Sequence, residues 1–213
     1  QVVLLPFFAK EAADRERVDA YVAELDTALR ARGVRTHIDD RPHLRPGAKY
    51  YEWERKGVPL RVDVGPRDLA SGEGKMARRV DGEKLTLALA DVGCAADAIA
   101  AELAAVQSSM LARAQDMLRA RTIELDSYAQ MVERLAAAAG AEDGEGGGAD
   151  GGGEIGFFLV PWADDAANEA RIKEETKATL RCYPFGEQHR ADGRACFFSG
   201  QPATHMALFA RAY

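Results

Sequence analysis

The chain has 213 residues, 47% of them hydrophobic and 29% charged, a composition typical of globular domains rather than of disordered or fibrous proteins. Its formal net charge of −6 excludes a general polyanion binder, so any contact with nucleic acid has to be local. No apolar run approaches the roughly 20 residues of a membrane helix. Three widely spaced cysteines predict a reducing compartment rather than a disulfide framework. We therefore expect a cytoplasmic protein without a membrane span, with a chloroplast or mitochondrion as the alternative compartment.

The first 38 residues predict a βαβ unit. Residues 2–8 form a continuous apolar run of strand length, and residues 34–38 return to a strand pattern. Between them, apolar residues recur at helical spacing, with Asp14 as the predicted N-cap and Gly33 as the stop. The two strands of such a unit lie parallel.

The rest of the first half alternates strands and helices around a hairpin signal at Asp81-Gly82. Pro46 and Gly57 mark the two ends of a second helix. The predicted elements are a helix over 46–56, a strand over 60–64, a loop over 65–74, hairpin strands over 76–80 and 85–90, and a helix over 95–121. The fold class is therefore α/β, with a mixed sheet and helices on its faces.

The second half predicts a small α+β domain after a connecting helix. Ser127 and Gln130 have capping-box spacing at the start of that helix. Its predicted elements are strands over 155–160, 179–183, 195–198 and 205–209, a helix over 168–177 and a polar loop over 186–193. The predicted boundaries are a first domain over 1–121, a connecting helix over 122–139, a flexible Gly-rich insertion over 140–154 and a second domain over 155–213.

Motifs of catalysis are missing from the sequence. No phosphate-binding loop or G-x-G-x-x-G follows a predicted strand, there is no nucleophile elbow, and the four histidines lack a motif partner. We therefore predict no catalytic residue and no cofactor in this chain. The missing phosphate loop also weakens the interpretation as a βαβ domain that binds a small molecule.

A basic and aromatic stretch over 34–67 is the strongest candidate for binding. It holds eight basic residues against five acidic ones, together with Tyr50, Tyr51 and Trp53. Aromatic stacking, arginine forks and carboxylates are the groups that read single-stranded RNA. The alternative is a solvated amphipathic helix whose aromatic side chains lie in the core.

Five segments of the chain resemble segments of one protein family. Residues 57–69, GVPLRVDVGPRDL, are similar to the K-G-V-P-x-R-x-E-x-G-P-R-D-L signature of the anticodon-binding domain of prolyl-tRNA synthetases. The other four segments lie over 125–128, 156–162, 172–185 and 208–213, in the family's order. The last three are peculiar to the eukaryote-like and archaeal-like branch, which carries an extra C-terminal domain.

The resemblance implies that the first domain binds the anticodon of proline tRNA, whose shared letters are two guanines. By their position in the motif, the anticodon-binding candidates are Asp39, Asp40, Arg41, Lys49, Glu52, Arg55 and Arg61, with Arg67 shaping the turn beside them. Internal salt bridges are the alternative for several of these residues. Tyr213 matches a terminal tyrosine that reaches the catalytic domain in related enzymes, although it equally fits the end of a strand.

The resemblance also implies what this chain lacks. The family's four zinc cysteines correspond to Ala163, Asn168, Cys196 and Ser199, which predicts a zinc-free variant. ATP and magnesium are expected only for a catalytic domain outside this chain, and the parent enzyme is expected to be a homodimer. Because the sequence starts without Met in an apolar run, we expect a fragment of a longer synthetase. The alternative is a freestanding tRNA-binding or regulatory module.

Overall fold

The computed structural model describes residues 1–7, 11–142 and 156–211. The chain divides into two compact units, Gln1–Ala112 and Arg113–Tyr213, each with its own sheet and core. Both units mix strands and helices, which confirms the α/β class with a mixed sheet followed by a small α+β domain. Within the residues described, none of the helices combines the length and the apolar character required to cross a bilayer.

The first unit is built on a five-stranded mixed sheet. Its strands are β1 (Val2–Pro6), β2 (Thr36–Ile38), β3 (Leu60–Val64), β4 (Glu73–Arg78) and β5 (Lys84–Ala88). In space the order is β2-β1-β3-β4-β5. β1 pairs in parallel with β2 and β3, whereas β3, β4 and β5 are antiparallel. The predicted βαβ unit and hairpin are confirmed.

The helices of this unit cover the two faces of the sheet with different chemistry. They are α1 (Ala12–Ala31), α2 (Pro46–Arg55), α3 (Pro66–Ser71) and α4 (Val92–Ala120), of which residues 113–120 belong to the second unit. Buried apolar residues of α1 and α4 pack with Leu4, Leu60 and Val62 in one core. α2 lies on the opposite face, where its side chains hydrogen-bond to Arg61 and Asp63. The sheet therefore has one face whose buried side chains are all apolar and one face on which buried charged side chains lie among apolar ones.

Two local predictions in the first unit were wrong. Glu11, not Asp14, is the N-cap residue of α1, and its side chain makes no capping bond. Asp14 lies in the first turn, where its negative charge interacts favourably with the helix dipole. The predicted loop over 65–74 contains α3, because Pro66 occupies the first turn and Gly72 ends the helix at φ 73°.

The second unit has a four-stranded sheet of order β6-β7-β9-β8. Its elements are β6 (Thr122–Glu124), α5 (Tyr128–Glu142), β7 (Phe157–Trp162), α6 (Ala166–Thr176), β8 (Ala178–Cys182), a 3₁₀ helix (Phe185–Ala191) and β9 (His205–Arg211). β6 is parallel to β7, and the other pairs are antiparallel. Phe158, Trp162 and Phe209 are among the largest buried side chains of its core.

Three predictions for this unit need comment. The Ser127 hydroxyl accepts from the backbone N–H of Gln130, as expected for a cap. The Gln130 side chain accepts from the backbone N–H of Asp126 rather than from that of Ser127. Residues 195–198 do not form a strand, and Ala195 makes only an isolated bridge. The polar loop over 186–193 includes most of the 3₁₀ helix. The predicted Gly-rich insertion lies outside the described residues from position 143 onward, and its first three residues continue α5.

Candidate nucleic-acid interface

The candidate residues follow the carboxyl ends of three parallel strands. Asp39 to Arg41 come directly after β2, Phe7 follows β1, and Gly65 to Arg67 follow β3. Parallel strands end at one edge of a sheet, so these segments share that edge. The strand order reverses beside β1, with α1 and α2 on opposite faces. In open α/β sheets, ligands bind at such a switch point.

Asp39 is the centre of a buried polar network at this edge. Its side chain has no solvent exposure. Arg41 donates from Nε to Oδ1 at 2.9 Å and from Nη2 to Oδ2 at 2.8 Å, and the indole N–H of Trp53 donates to Oδ2 at 2.8 Å. The Arg41 guanidinium, assisted by Trp53, holds the pKa of Asp39 well below its usual range. The carboxylate is therefore ionised and already engaged by protein donors.

Three further candidates belong to the same network. The Lys49 ammonium is buried and donates to the backbone oxygen of Asp39 at 2.8 Å. Arg41 also bridges to Glu52 at 2.9 Å, and Lys56 binds the other oxygen of Glu52 at 2.6 Å. The bond from Lys56 lowers the pKa of Glu52 most, and the bond from Arg41 lowers it further. The structure thus brings Asp39, Arg41, Lys49 and Glu52 together as an internal cluster.

Arg61 belongs to a second cluster, beneath α2. Its guanidinium lies 3.5 Å from the ring centroid of Tyr50, and its Nε donates to Asp63 at 3.2 Å. The Tyr50 hydroxyl donates to Asp63 at 3.1 Å. Burial raises the pKa of Asp63 and, with the nearby carboxylate, raises that of Tyr50 to about 12. Arg61 is therefore a buried cation held between a ring and two carboxylates, the second being that of Glu54 at 3.4 Å.

The remaining candidates face solvent. Asp40, Arg55 and Arg67 are exposed, and no hydrogen bond or ion pair within the described parts of the chain engages their side chains. Tyr51 on α2 is 68% exposed. These groups are open to a ligand, unlike Asp39, Lys49 and Arg61. The role of each of the eight candidates in tRNA binding stays a prediction.

Sequence reasoning missed residues that shape the edge and the role of one that it named. Trp53, expected only as an aromatic group, donates to the buried Asp39, and Asp63, which was not a candidate, accepts from Tyr50 on α2. Asp68, rather than Arg67, closes the turn after β3, because its carboxylate accepts from the Gly65 amide at 2.8 Å. The role of Asp63 could have been predicted from its spacing to Arg61, because residues two apart on a strand share a face.

A cleft of about 320 Å³ opens at this edge between the end of β1 and the loop before α2. Its lining includes Phe7, His43, Leu44, Arg45 and Lys49. Sequence reasoning did not single out this cleft. Arg45 was counted only among the basic residues of the stretch.

The residues at the family's zinc positions do not fit a zinc site. Only Cys196 offers a thiolate, and its side chain is buried in the core of the second unit. Asn168 lies in the first turn of α6, where its amide donates to Asp165. In the described part of the chain, no group of three or more His, Cys, Asp or Glu side chains is arranged to hold a metal ion. Tyr213, the predicted contact to a catalytic domain, lies outside the described residues.

Comparison with known proteins identifies two domains in this order. The family described as "Anticodon binding domain" matches residues 1–95, and the family described as "Prolyl-tRNA synthetase, C-terminal" matches residues 153–213. The first match contains the whole edge with both buried clusters.

Similar curated proteins align with the whole chain. They include a proline–tRNA ligase of Chloroflexus aurantiacus (35% identical), proline–tRNA ligase 2 of Clostridioides difficile (33%) and the chloroplastic/mitochondrial proline–tRNA ligase of Arabidopsis thaliana (31%). The chain spans 36 to 40% of the length of these relatives. Because all three are ligases, the comparisons do not favour a freestanding module. With both domains matched in this order, the chain belongs to the prolyl-tRNA synthetase family and corresponds to its anticodon-binding and C-terminal domains.

Proposed function

We propose that the first unit binds the anticodon of proline tRNA at the carboxyl edge of β1, β2 and β3. The observation that carries this proposal is the set of exposed, uncommitted groups at that edge and along α2, the helix that starts there. Asp40 and Arg67 follow β2 and β3, while Arg55 and Tyr51 lie on the exposed side of α2. They stand out in a chain whose net charge is −6.

The chemistry of these groups suits guanine. Two of the three anticodon bases are expected to be guanine in every proline tRNA. Guanine presents N7 and O6 as acceptors, which an arginine fork matches, and N1–H and N2–H as donors, which a carboxylate matches. Arg55 and Arg67 supply the forks, Asp40 supplies the carboxylate, and Tyr51 offers a ring for stacking. The buried clusters described above hold α2 and the segment after β2 in place through Asp39, Arg41, Lys49, Glu52 and Arg61.

The wider function is that of a tRNA-selecting part of proline–tRNA ligase. In the complete enzyme, a catalytic domain would use ATP and magnesium to attach proline to the selected tRNA. That domain and a second copy of the enzyme are further proposed partners, whereas this chain alone catalyses nothing. A cytoplasmic location, or an organellar one, stays a prediction.

The proposal is tested by measuring binding of this chain to a proline tRNA transcript by filter retention or anisotropy. A transcript with both anticodon guanines replaced by adenine is the control. We expect tighter binding of the unmodified transcript by about 10-fold or more, because each lost fork contributes roughly 1–3 kcal/mol. Affinity should fall as salt rises. Equal binding of the two transcripts would falsify anticodon reading.

The zinc-free variant is a separate proposal. One thiolate is too few for a structural site, which requires four ligands. We expect metal analysis of the purified chain to find far less than one zinc per molecule, and a chelator to leave its unfolding midpoint unchanged. A stoichiometric metal or a lowered midpoint would contradict the proposal.

A further inference from the structure

The sheet face that α2 covers is left open over β4 and β5. Arg61, which points to α2, pairs across the sheet with Ala77, and Ala77 pairs in turn with Lys84 of β5. Paired residues share a face of a sheet, and so do residues two apart on a strand. All residues of this surface are exposed except the half-buried Ala77. The surface, called the open face below, consists of Glu73, Lys75, Ala77, Lys84, Thr86 and Ala88.

Arg79 extends the open face towards the end of α2. It directly follows β4, and its backbone amide donates to the Pro59 oxygen at 2.9 Å. Together with Trp53 and Ala77 it lines a gap of about 20 Å³ beneath α2, which places it on the same side of the sheet. Arg79 is exposed, so its charge is accessible next to that of the open face.

The open face and Arg79 carry three cations that are not neutralised. No ion pair among residues 1–7, 11–142 and 156–211 engages Lys75, Arg79 or Lys84. Lys75 donates to the Thr86 hydroxyl at 3.0 Å, which holds its ammonium over the strands. With the carboxylate of Glu73 included, the surface has a net charge of +2 in a chain whose net charge is −6.

Cations on the other side of the sheet are paired instead. Arg78, the neighbour of Arg79 in the chain, bridges to Glu102 of α4 at 3.1 Å. On α1, Arg17 lies 3.4 Å from Asp14. The uncompensated charge of the open face is therefore a local property, and it suits a partner that carries negative charge.

The side chains of the open face favour the double-helical part of an RNA over a single strand. Single-stranded RNA is typically bound by stacking its bases on aromatic rings. The uncharged residues of this surface are Ala77, Thr86 and Ala88, which offer no ring. Double-stranded RNA is bound mostly through its phosphates and 2′-hydroxyls, for which ammonium and guanidinium groups on a flat surface are suited.

The open face also leads away from the edge proposed to bind the anticodon. β4 is antiparallel to β3, so Glu73 lies near the end of β3 and Arg79 lies at the opposite end of the sheet. Lys75 and Arg79 are four residues apart, which corresponds to roughly 13 Å along a strand. An RNA whose loop lies at the carboxyl edge can therefore place its stem along β4 and β5.

Resting on the proposed function, we propose that the open face binds backbone phosphates of the anticodon stem. Lys75, Arg79 and Lys84 supply the positive charge, and the contact reads no base. It positions the stem so that the loop meets the carboxyl edge of the sheet. None of these three residues was expected from the motif.

The test compares the chain with an Arg79→Gln/Lys84→Gln double variant. The ligand is a synthetic hairpin with the anticodon stem and loop of proline tRNA, made also with uncharged methylphosphonate linkages in the stem or in the loop. We expect stem neutralisation to weaken binding by the wild-type chain about 10-fold. The double variant should bind the unmodified hairpin about 10-fold more weakly, with a log–log salt slope smaller by about two. It should lose most of its response to stem neutralisation and keep its response to loop neutralisation.

A matched control removes the same charge from the other side of the sheet. Arg15 and Arg17 on α1 both lie beside carboxylates of their own helix, so Arg15→Gln/Arg17→Gln should change binding by about 2-fold or less. A hairpin with both anticodon guanines replaced by adenine should be weakened by the open-face variant by the same factor as the unmodified hairpin. Unchanged unfolding midpoints in urea would exclude misfolding as the cause.

The possible failures are distinguishable. Wild-type binding that ignores the anticodon guanines overturns the proposed function, whereas the stem contact survives if stem neutralisation still weakens the wild type and not the double variant. An effect that follows loop neutralisation, or a change in guanine discrimination, overturns the stem contact alone. A double variant that binds like the α1 control also overturns it and leaves the open face to an acidic protein surface.

Discussion

Replacement of Asp39 by asparagine tests whether the buried network holds the first unit together. The substitution keeps the size of the side chain and removes its charge. An asparagine side chain has one acceptor oxygen, whereas the carboxylate of Asp39 accepts two bonds from the Arg41 guanidinium, one from the Arg41 backbone amide and one from Trp53. The NH₂ group of the asparagine would face the donors that now bind one carboxylate oxygen. At least one buried donor would therefore lose its partner.

The expected loss of unfolding free energy is about 3 kcal/mol. Breaking a buried ion pair by removing one partner costs roughly 3–5 kcal/mol. The Arg41 side chain is 36% exposed and can turn to water, which places the estimate at the low end. A domain of this size is stable by about 5–15 kcal/mol, so the variant should fold with a clearly lowered midpoint.

The measurement is urea unfolding followed by tryptophan fluorescence. Trp53 lies in the first unit and Trp162 in the second, so a Trp162→Phe background reports on the first unit alone. Glu54→Gln is the matched control, because the Glu54 side chain is 58% exposed and its pair with Arg61 should contribute less than about 1 kcal/mol. A loss for Asp39→Asn within about 1 kcal/mol of that control would refute the reasoning.

The same variant has a defined pH dependence. The folded pKa of Asp39 is lowered by Arg41 and Trp53, so the unfolded state binds the proton more tightly. Its stabilisation is fully present above the unfolded pKa of about 3.9 and is lost as pH falls below it. The gap in unfolding free energy between the wild type and Asp39→Asn should therefore narrow below about pH 4.

Three other changes have outcomes that unfolding measurements can check. Gly74→Ala places a Cβ 2.8 Å from a methyl of Leu89 and should cost about 1–3 kcal/mol, whereas Gly47→Ala, in open space on α2, should be neutral or stabilise by up to about 1 kcal/mol. Asp165→Ala removes the oxygen that accepts two amides at the start of α6 and should cost about 1 kcal/mol, with Asp165→Asn as the tolerated control. Glu124→Gln weakens a pair of arginine contacts and should cost about 1 kcal/mol, less at high salt.

Strong periodicity made most of the fold predictable, and weak or misleading patterns explain the errors. The apolar run of β1 and the repeat of α1 are long enough to determine their type. α3 has six residues rich in turn formers, and only Pro66 with Asp68 reveals its start. The apolar residues at 196–198 match the pattern of a buried strand. Cys196 and Phe197 are indeed buried, but they lie in a turn region rather than in a strand.

The location of the candidate site was predictable, whereas the exposure of its residues was not. Parallel pairing of β1, β2 and β3 brings the segments after them to one edge, and the βαβ pattern predicts that pairing. Asp39 and Asp40 are adjacent and chemically alike, but one is buried and the other exposed. That difference arises because α2 supplies hydrogen-bond donors to Asp39, through Lys49 and Trp53. The positions of these donors depend on how α2 packs on the sheet.

The division of the sheet into two faces has a consequence for how a binding edge is held in place. Leu60 and Val62 pack in the apolar core, whereas Arg61 and Asp63 point to α2. Apolar contacts tolerate small shifts, but a hydrogen-bonded charge network loses its partners when the helix moves. α2 is therefore fixed in register on the sheet, and its exposed Arg55 is fixed with it. Substitutions in the buried clusters should lower stability and binding together, whereas substitutions of exposed groups should change binding alone.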